Sequence, residues 1–249
     1  KNHIKHNNIM KSLLNILLVA AACLLAYMCY ESIQVPIQYN EAVAKREAVI
    51  IQRLKDIRTL QENHRDKYQT YCASWDELIN FAKNDVVPIV VKVGSLTDAQ
   101  LAEGLNEQKA WMYLCDPKKY KKEIDKFGLS KETFSRDTMY VNVLKNDSAI
   151  SSRPNFNIDN IKYIPIRNLE TGAIEHSTDT IELNTGSITT ASGYQMALFE
   201  AKIPYTAYLS DLNEQETANK IEDKKQQDKF PGLQVGDATT ANNNAGNWE

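Results

Sequence analysis

An uncharged apolar run near the start of the chain constrains this protein more than any other sequence feature. The run extends from Leu13 to Tyr30, carries no charged side chain, and has Asn15 as its one strongly polar residue. A helix rises about 1.5 Å per residue, so about 20 residues cross a hydrocarbon core roughly 30 Å thick. The run therefore predicts a transmembrane helix over residues 12–31, preceded by a short tail over residues 1–11.

The residues around this run indicate its direction across the membrane. Three lysines and no acidic residue precede it: Lys1, Lys5 and Lys11. By the positive-inside rule, the N-terminal tail is cytoplasmic and the rest of the chain lies beyond the membrane. Two other interpretations stay open, a cleaved signal peptide that uses the alanines before Cys23 and a lipoprotein signal that uses Cys23 itself. Because apolar sequence continues past both positions, we favour a retained single-pass anchor in the inner membrane, with a periplasmic C-terminal domain.

A second helical pattern follows the anchor after a proline. Pro36 removes a backbone donor and disfavours helix at the residue before it, which predicts a kink or a break at this point. Residues 37–71 contain neither glycine nor proline, and they predict a long amphipathic stalk helix. Its apolar stripe, our candidate interaction surface, consists of Val43, Ile50, Leu54, Ile57 and Leu60. The stripe packs either on another subunit, as in a coiled coil, or on the sheet of its own domain, and we favour the second arrangement.

The remainder of the chain predicts a periplasmic α+β domain over residues 72–233. The β-branched segment 86–93 predicts a strand, and short β-like runs with intervening turn signals at 170–172 and 184–186 follow after residue 148. Short connections of this kind indicate antiparallel pairing. The predicted fold class is therefore α+β: an N-terminal transmembrane helix continues into a long amphipathic helix, followed by an antiparallel β-sheet domain with short helices.

The last residues of the chain have a different composition. The segment 234–249 is polar, lacks the residues of a core, and predicts a loop or a docked, strand-like tail. Trp248 is unusual in a polar tail, so it is either exposed with the tail or docked in a pocket of the domain.

The charge of the chain limits the kinds of partner that it can bind, and its cysteine content limits its redox chemistry. The formal net charge is −3, so the chain has no basic field for nucleic acid, and we expect no nucleic-acid partner. The expected partners are membrane lipid, through the anchor, and envelope proteins in a homo-oligomer or hetero-oligomer. Outside the anchor, Cys72 and Cys115 are the remaining cysteines. In an oxidising compartment they can form a disulfide, and the alternative is two unpaired thiols.

Catalytic and metal-binding sequence motifs are missing. The chain has four histidines, but it has no Cys-x-x-Cys pair, no phosphate-binding glycine loop and no Gly-x-Ser-x-Gly elbow. Its carboxylates lie where helix capping and solvation already explain them. We therefore predict no catalytic residue, no metal site and no cofactor, although paired carboxylates leave acid–base catalysis open.

The order of these elements resembles pilins and pseudopilins. The resemblance rests on Pro36 at a kink, on residues 54–58 in the amphipathic half of the helix, and on Tyr68 and Tyr71 where the helix gives way. In that family the helix packs into a filament or an envelope-spanning machine, so the resemblance implies a role of this kind. The apolar run differs from the family pattern because no glycine precedes it for prepilin cleavage and no glutamate lies at its start.

A second resemblance concerns the helix after the stalk. Its sequence, Ser-Trp-Asp-Glu-Leu at residues 74–78, is similar to that of single-pass envelope proteins of Bacteroidota. Taken together, these features predict a membrane-anchored periplasmic structural or interaction subunit of a cell-envelope assembly. Two alternatives remain open: a pilin- or pseudopilin-like filament or secretion subunit, and a membrane-anchored periplasmic enzyme of unknown type.

Overall fold

The computed structural model describes residues 2–153 and 156–249. The fold is α+β, as predicted, with a long N-terminal helix followed by antiparallel sheets and short helices. The helices are α1 Asn2–Tyr68, α2 Trp75–Asn84, α3 Asp98–Ala102, α4 Glu107–Cys115, α5 Lys121–Phe127, α6 Val143–Asn146, α7 Ser148–Ser151, α8 Thr206–Leu209 and α9 Glu214–Gln226. The strands are β1 Val86–Val93, β2 Ser135–Asn142, β3 Tyr163–Arg167, β4 Ile174–Thr180, β5 Glu182–Thr189, β6 Gln195–Pro204 and β7 Gly232–Gly236.

Helix α1 contains the predicted anchor. It spans 67 residues, a length of about 100 Å at the rise of an α-helix. Within the described residues, the segment Asn15–Tyr68 is the one helix long and apolar enough to cross a membrane, and its most apolar window is not buried at all. Side chains such as Leu17 and Leu24 are more than 60% exposed. Such an exposed apolar helix is consistent with a single-pass membrane anchor.

Of the kink or break predicted at Pro36, a break is wrong, because α1 runs through this residue without interruption. A proline inside a helix removes one backbone hydrogen bond and costs about 3 kcal/mol. Both flanks nevertheless specify helix: the apolar run precedes the proline, and from Tyr39 onward the helix is held in the domain core. Anchor and stalk are therefore one helix, which ends at Tyr68.

The C-terminal half of α1 forms the centre of the main core. It contacts β3, β6 and β7 on one side and α2 on another. Phe199 of β6 and Tyr208 of α8 are the largest side chains that are almost completely buried in this core. Burial of each large apolar side chain contributes about 1.5–3 kcal/mol, so the sheet fixes the stalk half of α1 firmly.

The sheets are antiparallel, as the short connections predicted. Strands β5, β6 and β7 form one sheet in that order, and β3 pairs with β4. The turn predicted at 170–172 is confirmed, with Gly172 at a φ of 71° between β3 and β4. The turn predicted at 184–186 is wrong, because these residues lie inside β5. A Cβ on Gly186 would lie 2.0 Å from the carbonyl oxygen of Ala238, so this glycine allows two backbones to approach closely.

Residues 86–142 form a unit that we call the β1–β2 arm. Strand β1 matches the predicted strand 86–93 and pairs with β2 along its whole length, from Val86 opposite Asn142 to Val93 opposite Ser135. Helices α3, α4 and α5 lie between the two strands in sequence. They enclose a second, separate core of five buried residues: Leu105, Ala110, Leu114, Leu129 and Phe134.

The C-terminal tail is docked rather than free. Strand β7 pairs with β6, and Val235 forms a further antiparallel bridge with Gly246. Trp248 packs against the main core and lies over Gly246, where a Cβ would be 2.4 Å from its ring. Of the two arrangements that the sequence left open for Trp248, the structure has the docked one.

We expect Asp237, in this tail, to make stability depend on pH in the acidic range. Burial alone raises the pKa of Asp237, but hydrogen bonds from Thr239 and Thr240 outweigh it and lower the pKa to about 2. Since the folded-state value lies below the unfolded one, the carboxylate stabilises the fold fully above about pH 5, and this stabilisation is lost as the pH falls toward about 2. In urea unfolding, Asp237→Asn should therefore lose more stability at about pH 7 than at about pH 3. An equal loss at both pH values would contradict this assignment.

Candidate functional site

The predicted interaction stripe of the stalk lies inside the protein's own core. Ile50, Leu54, Ile57 and Leu60 are fully buried, and Val43 is 4% exposed. They belong to the cluster that also contains the inward side chains of β3, β6 and β7. Of the two packings that the sequence left open, the structure thus has the one against the domain's own sheet, which leaves these five side chains no surface for another subunit.

The possible disulfide between Cys72 and Cys115 is not formed. Both are free thiols: Cys72 is buried in the main core, and Cys115 is exposed at the end of α4 in the β1–β2 arm. The two residues belong to separate packing units, which the sequence positions alone did not reveal. Cys115 is therefore an accessible reactive group, whereas Cys72 is enclosed.

An ion pair connects α1 to the segment between α8 and α9. Arg46 is buried, and its guanidinium donates to both carboxylate oxygens of Asp211 and, at 2.6 Å, to the backbone carbonyl of Tyr208. This hydrogen bonding from Arg46 lowers the pKa of Asp211. Two parallel bonds of this kind fix orientation as well as distance, so they hold α1 rigidly against this part of the domain.

A basic cleft lies between α1 and the β3–β4 pair. It has a volume of about 710 Å³, and the charged side chains that line it are Arg53, Asp56, Arg153, Arg167 and His176. Asp56 is almost fully buried and accepts two hydrogen bonds from Arg153, at 2.8 and 2.9 Å. This pairing neutralises one arginine, so the positive charge of the other two arginines remains.

The remaining groups of the cleft favour a negatively charged occupant. Burial lowers the pKa of His176, and the positive charge of Arg53 lowers it further. The Nε atom of Arg167 is buried without a hydrogen-bond partner in the described structure. A carboxylate or phosphate would satisfy such a donor. The described lining residues include no serine, threonine or cysteine beside His176, so they form no nucleophile–base pair.

One group of side chains has the composition of a metal site. The ligand atoms of His64, Cys72 and Glu77 all lie within 4.8 Å of one another. Burial and, to a smaller extent, the neighbouring Glu77 carboxylate together raise the pKa of the Cys72 thiol to about 12. Among the described residues this is the one group of three such side chains that fits an ion.

The β1–β2 arm exposes more apolar side chains than the rest of the described domain surface. Val90 is 55% exposed on β1, and Met139 and Tyr140 are 53% and 70% exposed on β2. A two-stranded ribbon has no second layer to cover its faces, which is why these side chains stay in contact with solvent. These side chains are therefore accessible to other molecules.

Sequence reasoning missed both the metal-type group and the cleft. The group joins residues 64, 72 and 77, which no short motif relates, because the chain reverses after Tyr68 and brings Cys72 back beside Gln61. The cleft joins α1 to residues more than a hundred positions later. The one available signal was the unusual content of histidine and arginine on the otherwise apolar stalk stripe, at Arg46, Arg53 and His64.

Comparison with known proteins does not identify a relative: no family model matches the chain, and no curated protein and no solved structure matches it.

Proposed function

We propose that this protein is a membrane-anchored structural or interaction subunit of a cell-envelope assembly. One observation carries the proposal: a single uninterrupted helix exposes an apolar segment, which begins at Asn15, and buries its C-terminal half in the core of a folded domain. A flexible linker would let the domain move relative to the membrane, whereas a continuous helix holds it at a set distance from the membrane and in a set orientation. That rigid connection suits a subunit that must keep its place in a larger structure.

The proposed location follows from the lysines before the anchor. Lys1, Lys5 and Lys11 favour a cytoplasmic N-terminus, which places the α+β domain in the periplasm, above the inner membrane. Lipid surrounds the exposed apolar half of α1 in this arrangement. The docked C-terminal tail and the β1–β2 arm then belong to the periplasmic side.

We assign the contact with other subunits to the β1–β2 arm, and we propose that its partner is a protein. The segment between β1 and β2 contains seven acidic and seven basic residues over positions 94–134. This balance supplies no electrostatic attraction for nucleic acid or for anionic lipid. The exposed Val90, Met139 and Tyr140 instead offer apolar and aromatic contact area, which protein interfaces use.

A pilin- or pseudopilin-like subunit is the second candidate. The observation that favours it is the division of α1 into an exposed apolar half and a half packed against an antiparallel sheet. In that case the partner is a neighbouring copy of the chain, and the contacts repeat along a filament.

Cys115 permits one experiment on both location and assembly. It is exposed on the arm, while Cys72 is buried and Cys23 and Cys29 lie in the anchor. A membrane-impermeant reagent that couples to thiols and carries a photoreactive group should therefore label intact cells through Cys115 alone. After illumination, we expect a cross-linked product larger than the monomer.

The outcomes separate the parts of the proposal. A chain with Cys115→Ser should show neither label nor product. Labelling only after the cells are broken would contradict the periplasmic location. Labelling with the monomer as the sole product would contradict the subunit role. A ladder of products at multiples of the monomer mass would favour the filament candidate, and a single product of another mass would favour a hetero-assembly.

A further inference from the structure

The group formed by His64, Cys72 and Glu77 lies where α1 ends and α2 begins. Their ligand atoms lie within 4.8 Å of one another. His64 and Cys72 are 5% and 1% exposed, whereas Glu77 lies in the first turn of α2 and is exposed to solvent. The group thus combines two enclosed ligands with one that solvent, and a dissolved ion, can reach.

The hydrogen bond of His64 determines which of its nitrogens can bind an ion. Nδ1 lies 2.6 Å from the backbone carbonyl oxygen of Thr70, and a carbonyl only accepts hydrogen bonds. Nδ1 therefore carries the proton of the neutral ring, and the lone pair remains on Nε2. Histidines that bind metals in proteins are usually held by a hydrogen bond of this kind on the other nitrogen.

The backbone of Cys72 is held just as firmly. The fully buried side chain of Gln61 donates to the Cys72 carbonyl at 2.8 Å and accepts from the Cys72 backbone N–H at 2.9 Å. This pair of bonds fixes the loop after α1 against the turn that carries His64. Hydrogen bonds therefore hold the ring of His64 and the backbone of Cys72 in place.

Glu77 lies in the first turn of α2, where the helix dipole favours an acidic side chain. Its carboxylate makes no hydrogen bond or ion pair with a described residue, and it does not bond to Ser74, which occupies the N-cap of α2 without a side-chain cap bond. The carboxylate is therefore free to take part in binding an ion.

We propose that His64, Cys72 and Glu77 bind one Zn²⁺ ion. Nitrogen, thiolate and carboxylate together suit Zn²⁺, which is bound at about 2.0–2.3 Å by these atoms, and they do not suit Ca²⁺ or Mg²⁺, which prefer oxygen ligands alone. The three atoms must approach by about 1 Å to surround the ion, a movement within reach of side-chain rotation.

The neighbouring cavity leaves space for a fourth ligand. It has a volume of about 430 Å³, and both His64 and Glu77 line it together with Tyr68, Asn80 and Asp85. Water, or the side chain of a partner subunit, can complete the tetrahedron from this side. This ion would join the end of α1 to α2, and the proposal is independent of the envelope role proposed above.

The test is a titration of the full-length chain in detergent with Co²⁺, followed by Zn²⁺. We expect one Co²⁺ per chain, with the absorption band that a thiolate ligand to Co²⁺ produces, and we expect Zn²⁺ to displace it. Cys72→Ser should abolish the band. Glu77→Gln, at an exposed position that does not endanger the fold, should weaken Zn²⁺ binding at least about tenfold.

The exposed Cys115 provides the matched control. Cys115→Ser removes a thiol outside the group, so it should leave both the band and the affinity unchanged. Absence of bound Co²⁺ in the wild-type chain would overturn the proposal. So would a band that survives Cys72→Ser, a band lost in Cys115→Ser, or an affinity that Glu77→Gln leaves unaltered.

Discussion

Replacing Ile57 by alanine should destabilise the domain by about 2–5 kcal/mol, one of the two largest effects that we expect from a single change. Ile57 is fully buried where α1 lies on the sheet. The substitution removes three carbon atoms from a packed core and leaves a cavity that neighbouring side chains fill only partly. Urea unfolding of the full-length chain in detergent, followed by tryptophan fluorescence, measures the change.

The same helix offers a control of identical chemistry. Ile37 also lies in α1, but it is 47% exposed, outside the core. Ile37→Ala should change the free energy of unfolding by about 0.5 kcal/mol or less, since helix propensity differs little between the two residues. If both substitutions had the same small effect, the stalk half of α1 would not be packed on the domain as the structure describes.

Removal of Arg153 should have an effect of similar size for an electrostatic reason. Asp56 is almost fully buried on α1, and Arg153 supplies its charged partner through two hydrogen bonds. Without that partner, the carboxylate remains buried, with a hydrogen bond from the side-chain amide of Gln52. Breaking a buried pair costs about 3–5 kcal/mol. We expect about 3 kcal/mol for Arg153→Ala, at the lower end, because the arginine side chain is 33% exposed.

A second substitution distinguishes this effect from a simple loss of packing. In the double variant Asp56→Asn with Arg153→Ala, the buried charge is absent, so part of the lost stability should return. Lys83→Ala is the surface comparison, because Lys83 pairs with Asp159 at 2.6 Å but both side chains are more than 40% exposed. Its expected cost is below about 1 kcal/mol. A double variant less stable than Arg153→Ala would contradict the proposed cause.

The pair of Asp56 and Arg153 shows how the cleft depends on the fold. Asp56 and Arg153 hold opposite walls of the basic cleft together, so a loss of this pair should open the cleft as well as destabilise the domain. Arg53, which lies on α1, donates a hydrogen bond to the backbone carbonyl of Asn160. The cleft is thus a product of tertiary contacts between α1 and the segment around β3.

Much of the architecture could be predicted from local sequence. The apolar run predicts a helix able to span a membrane because its length matches the bilayer and it carries no charge. The β-branched segment 86–93 predicts β1, and the stripe from Val43 to Leu60 predicts a buried helix face. These signals depend on spacing over a few residues, so the sequence contains them in full.

Several features could not be predicted in this way, and each depends on distant parts of the chain. The helix continues through Pro36 because the domain core holds α1 from Tyr39 onward, a contribution that local rules do not include. Gly186 lies inside a strand because the tail at Ala238 approaches it, although its sequence resembles a turn. Trp248 is docked because β7 carries the tail onto the core.

By itself, the sequence determined the apolar helix, the amphipathic stalk, the α+β composition and the absence of a strong charge field. Only the tertiary structure decided that the stalk stripe faces the protein's own sheet, that Cys72 and Cys115 lie apart, and that His64, Cys72 and Glu77 meet. The physical reason is that periodicity reports which side of a helix is apolar, whereas only chain reversal and sheet packing determine what that side contacts.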